Sequence, residues 1–265
     1  MRPEILTVKT ANFEMDYFSF GEGKRTMVII PGLALHSATG SAHAVAAAYA
    51  PFCKDYTCYL FDRKKDLPSV YTLREAARDT AEALRALGLK DIYLFGTSMG
   101  GMIAQYLAAE PDLVKKAVFA STMCRSNDTA TRVLGNWAEL AKNRQVVALN
   151  RDCVRKVYSE EYVKKYAAAF KVLETLGTEE ELDRFAVLAT AVTEFDATDV
   201  LSKVTCPVLV TGAGKDEVLT GAAAEELAER LHVVPYMYPE GSHAVYDEDP
   251  DYKARMLCFF NGTEE

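Results

Sequence analysis

This sequence predicts an α/β fold: a mostly parallel eight-stranded sheet covered by helices on both faces, with an all-helical segment inserted late in the chain. Three observations carry the expectation. Short apolar runs alternate with amphipathic or alanine-rich segments, the pattern of buried parallel strands joined by helices. The run Ile92-Tyr93-Leu94-Phe95 passes through Gly96-Thr97-Ser98-Met99-Gly100-Gly101 into the alanine-rich residues 102–109, which reads as strand, tight turn, helix. Residues 123–199 carry no strand pattern, and the alternation resumes after them.

In chain order, residues 4–20 read as a hairpin. Ile5 to Thr10 is rich in β-formers, Ala11-Asn12 turns, and residues 13–20 alternate. Met27-Val28-Ile29-Ile30 is a strand buried on both faces, ending in Pro31-Gly32-Leu33. Residues 41–50 are a helix, and residues 57–61 a strand closed by Asp62-Arg63. Thr72-x-x-Glu75 is a capping-box signature. The helix it opens has one apolar face, from Leu73 to Leu87, and stops at Gly88. Residues 117–121 form the next strand. The segment from 123 to 199 holds four helix-like stretches, the third running from Tyr162 to Leu173 and the fourth capped by Thr178-x-x-Glu181. Strands at 207–211 and 233–238 and helices at 221–231 and 250–260 complete the chain. Residues 1–122 and 200–265 then form a core domain, and 123–199 a lid above it.

The chain has 265 residues, enough for one large α/β core plus an inserted subdomain. Its net charge of −8 argues against nucleic acid, which needs a basic face. The six cysteines form no Cys-x-x-Cys pair and have no zinc spacing, and most read as buried free thiols. Met1-Arg2-Pro3-Glu4 leads into an alternating strand without the apolar core of a signal peptide. No run approaches the ~20 apolar residues of a membrane span. The expectation is a cytoplasmic protein with no membrane or nucleic-acid partner, acting on a small molecule.

Gly96-x-Ser98-x-Gly100 is the pattern of a nucleophile elbow. Three fixed residues alone recur by chance in roughly one chain in ten of this length; the flanking strand and helix make the pattern specific. A serine hydroxyl needs a base to take its proton and a third group to orient that base. Of four histidines, His243 stands in the small-residue loop Glu240-Gly241-Ser242-His243, past the last strand. His232 closes a helix, His43 lies within one, and His36 is a candidate for the pocket mouth. Asp216, in the loop after residues 207–211, is the candidate acid, with Glu217 and Asp128 as rivals. The order Ser98, Asp216, His243 is the chain order expected of an elbow architecture. Oxyanion donors would be the backbone N–H groups of Met99 and Leu33. In the lid, Met123, Trp137, Tyr158, Tyr162, Tyr166 and Phe170 offer apolar surface; most belong to the core, and Met123, Trp137, Tyr162 and Tyr166 are the pocket candidates.

On Pro31-Gly32-Leu33, residues 96–101, the helical segment, Gly212-Ala213-Gly214-Lys215-Asp216 and Gly241-Ser242-His243, the chain resembles the α/β-hydrolase superfamily over nearly its full length. It looks most like the lid-bearing esterase, perhydrolase and C–C hydrolase branch, whose lid joins the sixth and seventh strands. The resemblance implies a serine-hydrolase mechanism with no metal and no organic cofactor: Ser98 attacks, His243 relays the proton and Asp216 holds His243. Two departures stand out. Pro31-Gly32 replaces the His-Gly of many relatives, and residues 64–68 lack their glycine-and-serine pattern. Ser98 argues against epoxide hydrolases and haloalkane dehalogenases, which use aspartate there. The expected substrate is a small apolar carboxylic ester. The alternatives are a C–C bond, thioester, lactone or N-terminal peptide bond, or a hydrolase fold serving only to bind a ligand.

Overall fold

Met27, Val28, Ile29 and Ile30 are all buried, and they divide alternately between two cores. Val28 and Ile30 join Leu94, Ala117 and Phe119 on one side of a sheet; Met27 and Ile29 join Phe95 and Val118 on the other. Successive strand residues point to opposite faces, so an all-apolar strand requires helices on both. Each fully buried Phe or Ile contributes about 1.5–3 kcal/mol of transfer free energy.

The computed structural model describes residues 3–263. Met1 and Arg2, which open the N-terminal stretch read above, lie outside them. The elements are β1 (Ile5–Lys9), β2 (Glu14–Phe20), β3 (Arg25–Ile30), α1 (Ala42–Ala48), β4 (Tyr56–Lys64), α2 (Leu73–Ala86), β5 (Ile92–Thr97), α3 (Met99–Ala108) and β6 (Val114–Ala120). Five helices follow: α4 (Asp128–Lys142), α5 (Val146–Val157), α6 (Glu160–Lys165), α7 (Ala167–Leu173) and α8 (Glu179–Thr193). The chain closes with β7 (Val208–Ala213), α9 (Gly221–Arg230), β8 (Tyr236–Tyr238), α10 (Val245–Glu248) and α11 (Tyr252–Asn261).

The sheet order is β1-β2-β4-β3-β5-β6-β7-β8. β1, β2 and β4 pair antiparallel, and every later pairing is parallel. Helices α2, α3 and α9 contribute to the first core, and α1 and α11 to the second. Both capping boxes form: Thr72 with Glu75 at α2, and Thr178 with Glu181 at α8. Gly88 ends the α2 turn at φ 68°.

Four expectations need correction. The helical stretch from Tyr162 to Leu173 is two helices, because Tyr166 leaves helical geometry (φ −110°, ψ 22°) and caps both. The helix expected over 41–50 is shortened to seven residues by 3-10 turns on either side. The strand expected over 233–238 begins only at Tyr236, with Val234 fully in solvent. All six cysteines are free, but only Cys58 and Cys124 are buried; Cys53, Cys153 and Cys206 are half-buried and Cys258 is exposed. Among the described residues no helix is long and apolar enough to cross a membrane.

Candidate active site

Ser98 joins β5 to α3 at φ 52°, ψ −122°, a conformation forced on an L-residue by its surroundings. The flanking glycines permit it, because a side chain at either position would clash. A Cβ on Gly96 would lie 2.5 Å from Gly100 O, and one on Gly100 only 2.0 Å from Ile30 O. The backbone is tied on both sides: Ser98 N donates to Ala120 O at 2.9 Å, and Thr122 Oγ1 donates to Ser98 O at 2.8 Å. The serine side chain is half-buried at the N-terminus of α3, where the helix dipole favours negative charge.

Strand register brings the other loops to the same edge. Thr97 lies opposite Ala120, Ala120 opposite Thr211, and Ala213 opposite Tyr238. Asp216 follows β7 and His243 follows β8, so both lie beyond the carboxyl ends of neighbouring strands, as ligand sites in such sheets do. Both are buried, and His243 Nδ1 lies 2.7 Å from Asp216 Oδ2. The other carboxylate oxygen accepts from Val218 N at 2.8 Å and Leu219 N at 2.9 Å. Burial by itself would raise the Asp216 carboxyl, but the His243 imidazole and the two N–H donors outweigh it and hold the pKa below the usual value. The rival acids are elsewhere: Glu217 is exposed and pairs with Arg155, and Asp128 is exposed in the first turn of α4.

Among the described residues no side-chain hydrogen bond reaches the Ser98 hydroxyl, from His243 or any other group. Tyr246 lies just past His243. Burial raises its phenol well above its usual pKa; Asp247, Tyr158 and Asp216 add to the rise, and Thr97 of the elbow opposes it.

The segment Pro31-Gly32-Leu33 follows β3, whose Ile30 lies opposite Gly96. A Cβ on Gly32 would lie 3.2 Å from Ser98 Cβ, so this segment packs directly on the serine. Neither Leu33 N–H nor Met99 N–H has a protein acceptor among the described residues. A cavity of about 30 Å³ is lined by Pro31, Gly32, His36, Arg63 and Met99. Arg63 lies in this lining, and nothing in the sequence singles it out beyond the charged pair Asp62-Arg63 at the carboxyl end of an apolar strand. Its guanidinium is buried and Nη2 donates to Pro31 O at 2.6 Å.

The pocket candidates separate. His36 Nδ1 lies 2.9 Å from Glu181 Oε1, linking the segment after Pro31-Gly32-Leu33 to α8. Met123 is buried, and its carbonyl accepts from Gln105. Trp137 is buried among the helices, its Nε1 donating to Asp152 at 2.9 Å. Tyr162 and Tyr166 pack on one another, with ring centroids 4.5 Å apart. Tyr158 and Phe170 join that aromatic group. It adjoins α10, where Val157 O accepts from Ala244 N and Glu248 accepts from Ser159 N. A wider cleft of about 660 Å³ lies between residues 65–72 and α8, and neither Ser98, Asp216 nor His243 lines it. No group of three or more His, Cys, Asp or Glu side chains clusters as a metal site among the described residues.

The chain belongs to the alpha/beta hydrolase family, which it matches over residues 27–255. Among curated proteins it is similar to a putative carbamate hydrolase RutD of Rhizobium rhizogenes, at 23% identity over 91% of this chain and 94% of that one. Among solved structures it resembles the enol-lactonase of Burkholderia xenovorans (TM-score 0.84, 16% identity, 97% of this chain and 100% of that one). It also resembles a thermophilic esterase of Thermogutta terrifontis (TM-score 0.78, 18% identity, 99% of each chain).

Proposed function

We propose that this chain is a serine hydrolase that cleaves small apolar carboxylic esters through an acyl-enzyme. The observation that carries the reading is the buried His243–Asp216 pair at the sheet edge where Ser98 stands in its strained turn. Ser98 Oγ attacks the ester carbonyl while His243 Nε2 takes its proton. Asp216 keeps the remaining proton on Nδ1 and stabilises the imidazolium. The carbonyl oxygen becomes an oxyanion that accepts from Leu33 N–H and Met99 N–H, neither of which has a protein acceptor among the described residues. The imidazolium then protonates the leaving alkoxide, and the alcohol departs. A water, deprotonated by His243, attacks the acyl-enzyme, and Ser98 recovers its proton as the acid leaves. The missing Ser98–His243 hydrogen bond is compatible with this sequence, since such contacts often tighten only with substrate bound. The helices between β6 and β7 act as the lid, and the protein works without metal or organic cofactor.

The test is Ser98→Ala against p-nitrophenyl acetate and butyrate. Hydrolysis should fall at least about 10⁴-fold with the fold intact; unchanged turnover rejects the reading. A second reading is favoured by the similarity to carbamate hydrolases: the same attack on a carbamate carbonyl. Comparing p-nitrophenyl butyrate with an N-alkyl carbamate of p-nitrophenol distinguishes the two by kcat/KM.

A further inference from the structure

Arg63 is a buried cation that makes no ion pair within 4 Å of a carboxylate among the described residues. Its side chain points beneath the segment that follows β3, and Nη2 donates to Pro31 O at 2.6 Å. Nε and Nη1 are buried and have no protein acceptor among the described residues. The neighbouring Asp62 is engaged elsewhere: Oδ1 accepts from Arg63 N at 2.7 Å and from Arg184 Nη2 at 3.2 Å, and Oδ2 from Ser37 Oγ at 2.5 Å. Burial is the largest influence on the Arg63 guanidinium and lowers its pKa to about 10. A charge desolvated in this way costs stability, and an apolar residue of similar volume is often tolerated as well or better. Fold stability therefore does not account for Arg63.

What it touches does. The Pro31 carbonyl oxygen accepts from Arg63 and packs closely against the first turn of α3, where a Cβ on Gly100 would come within 2.6 Å of it. The next residue, Gly32, packs on Ser98. One peptide further is the unpaired Leu33 N–H. Fixing the Pro31 carbonyl fixes the Pro31–Gly32 peptide plane; with Gly32 also packed on Ser98, its two dihedrals have little room to redirect the next peptide, which carries Leu33 N–H.

We propose that Arg63 is a positioning residue for oxyanion stabilisation: by holding the Pro31 carbonyl it aims Leu33 N–H at the oxygen that becomes negative when Ser98 attacks. This rests on the hydrolase reading above. Removing an oxyanion donor outright lowers kcat about 10²–10³-fold; misaiming one should lower it by about 10–100-fold.

The experiment compares wild type with Arg63→Met, Arg63→Gln and Arg63→Lys on p-nitrophenyl butyrate, with melting temperature and inhibition by butylboronic acid, whose tetrahedral adduct mimics the transition state. Arg63→Met should lower kcat by about 10–100-fold. KM should stay close to wild type, boronate affinity should fall in step with kcat, and the melting temperature should hold or rise. Arg63→Lys, which keeps a charged donor, should recover most of the loss. Unchanged kcat in Arg63→Met overturns the inference. So does a kcat loss that follows melting temperature while boronate affinity stays unchanged. If Arg63→Met does not fold, Arg63→Gln and Arg63→Lys carry the same comparison. Hydrolysis that survives Ser98→Ala overturns the hydrolase reading and this inference together; a dead Ser98→Ala beside a fully active Arg63→Met overturns this inference alone.

Discussion

Asp216 has one carboxylate oxygen on His243 and the other on two backbone N–H groups, so it is fixed as well as charged. Asp216→Asn keeps the shape but removes the charge that favours a proton on Nδ1. Its kcat should fall about 10⁴-fold. The same residue makes a stability prediction. Its folded pKa is depressed, so its stabilisation is present above the ordinary carboxylate pKa of about 3.9 and is lost as pH falls through the lower folded value. Urea unfolding should find the gap between wild type and Asp216→Asn widest near neutral pH and closing below pH 3.9. A gap independent of pH contradicts the assignment of charge. Ser98, Asp216 and His243 were legible as candidates because a local pattern and a chain order single them out. Arg63 was not. A charged residue at a strand end looks the same in sequence whether solvated or buried, and its partner Pro31 lies 32 residues away.

At the scale of elements, the helices between β6 and β7 are fastened to the rest of the fold at several places, and two of these adjoin the site. One is α8, where Arg184 reaches Asp62 and the carbonyls of Arg63, Lys64 and Lys65. The other is the α5–α6 turn, where Ala244 N donates to Val157 O and Glu248 accepts from both Ser159 N and Ser242 Oγ. The second fastening adjoins His243 directly. Arg184→Ala leaves strand-end carbonyls without a donor. It should destabilise the fold by about 1.5–3 kcal/mol in urea and raise KM more than it lowers kcat. Unaltered stability would mean that α8 is held by apolar packing alone. Capping boxes and apolar strands were readable because each is set by residues a few positions apart. The break at Tyr166 was not, since no Gly or Pro marks it and the apolar spacing continues through Tyr162, Tyr166 and Phe170. Those rings instead satisfy one another as a cluster.

Across the whole molecule, the order of strands in the sheet builds the site. β3, β5, β6, β7 and β8 are successive neighbours, so the loops after β3, β5, β7 and β8 open at one edge. β4 lies on the other side of β3, which brings Arg63 under Pro31. The alternation of apolar runs foretold a parallel sheet, yet it carries the order of strands along the chain and not across the sheet. The proximity of Arg63 to Pro31 and the cleft beside α8 depend on that second order. In the proposed reaction His243 makes Ser98 nucleophilic. Treatment with a fluorophosphonate, followed by mass mapping of the labelled peptide, tests it most directly. One adduct per chain is expected, on Ser98, forming far more slowly in His243→Ala; labelling of another serine, or of Ser98 at the same rate in both proteins, would rule out activation of Ser98 by His243.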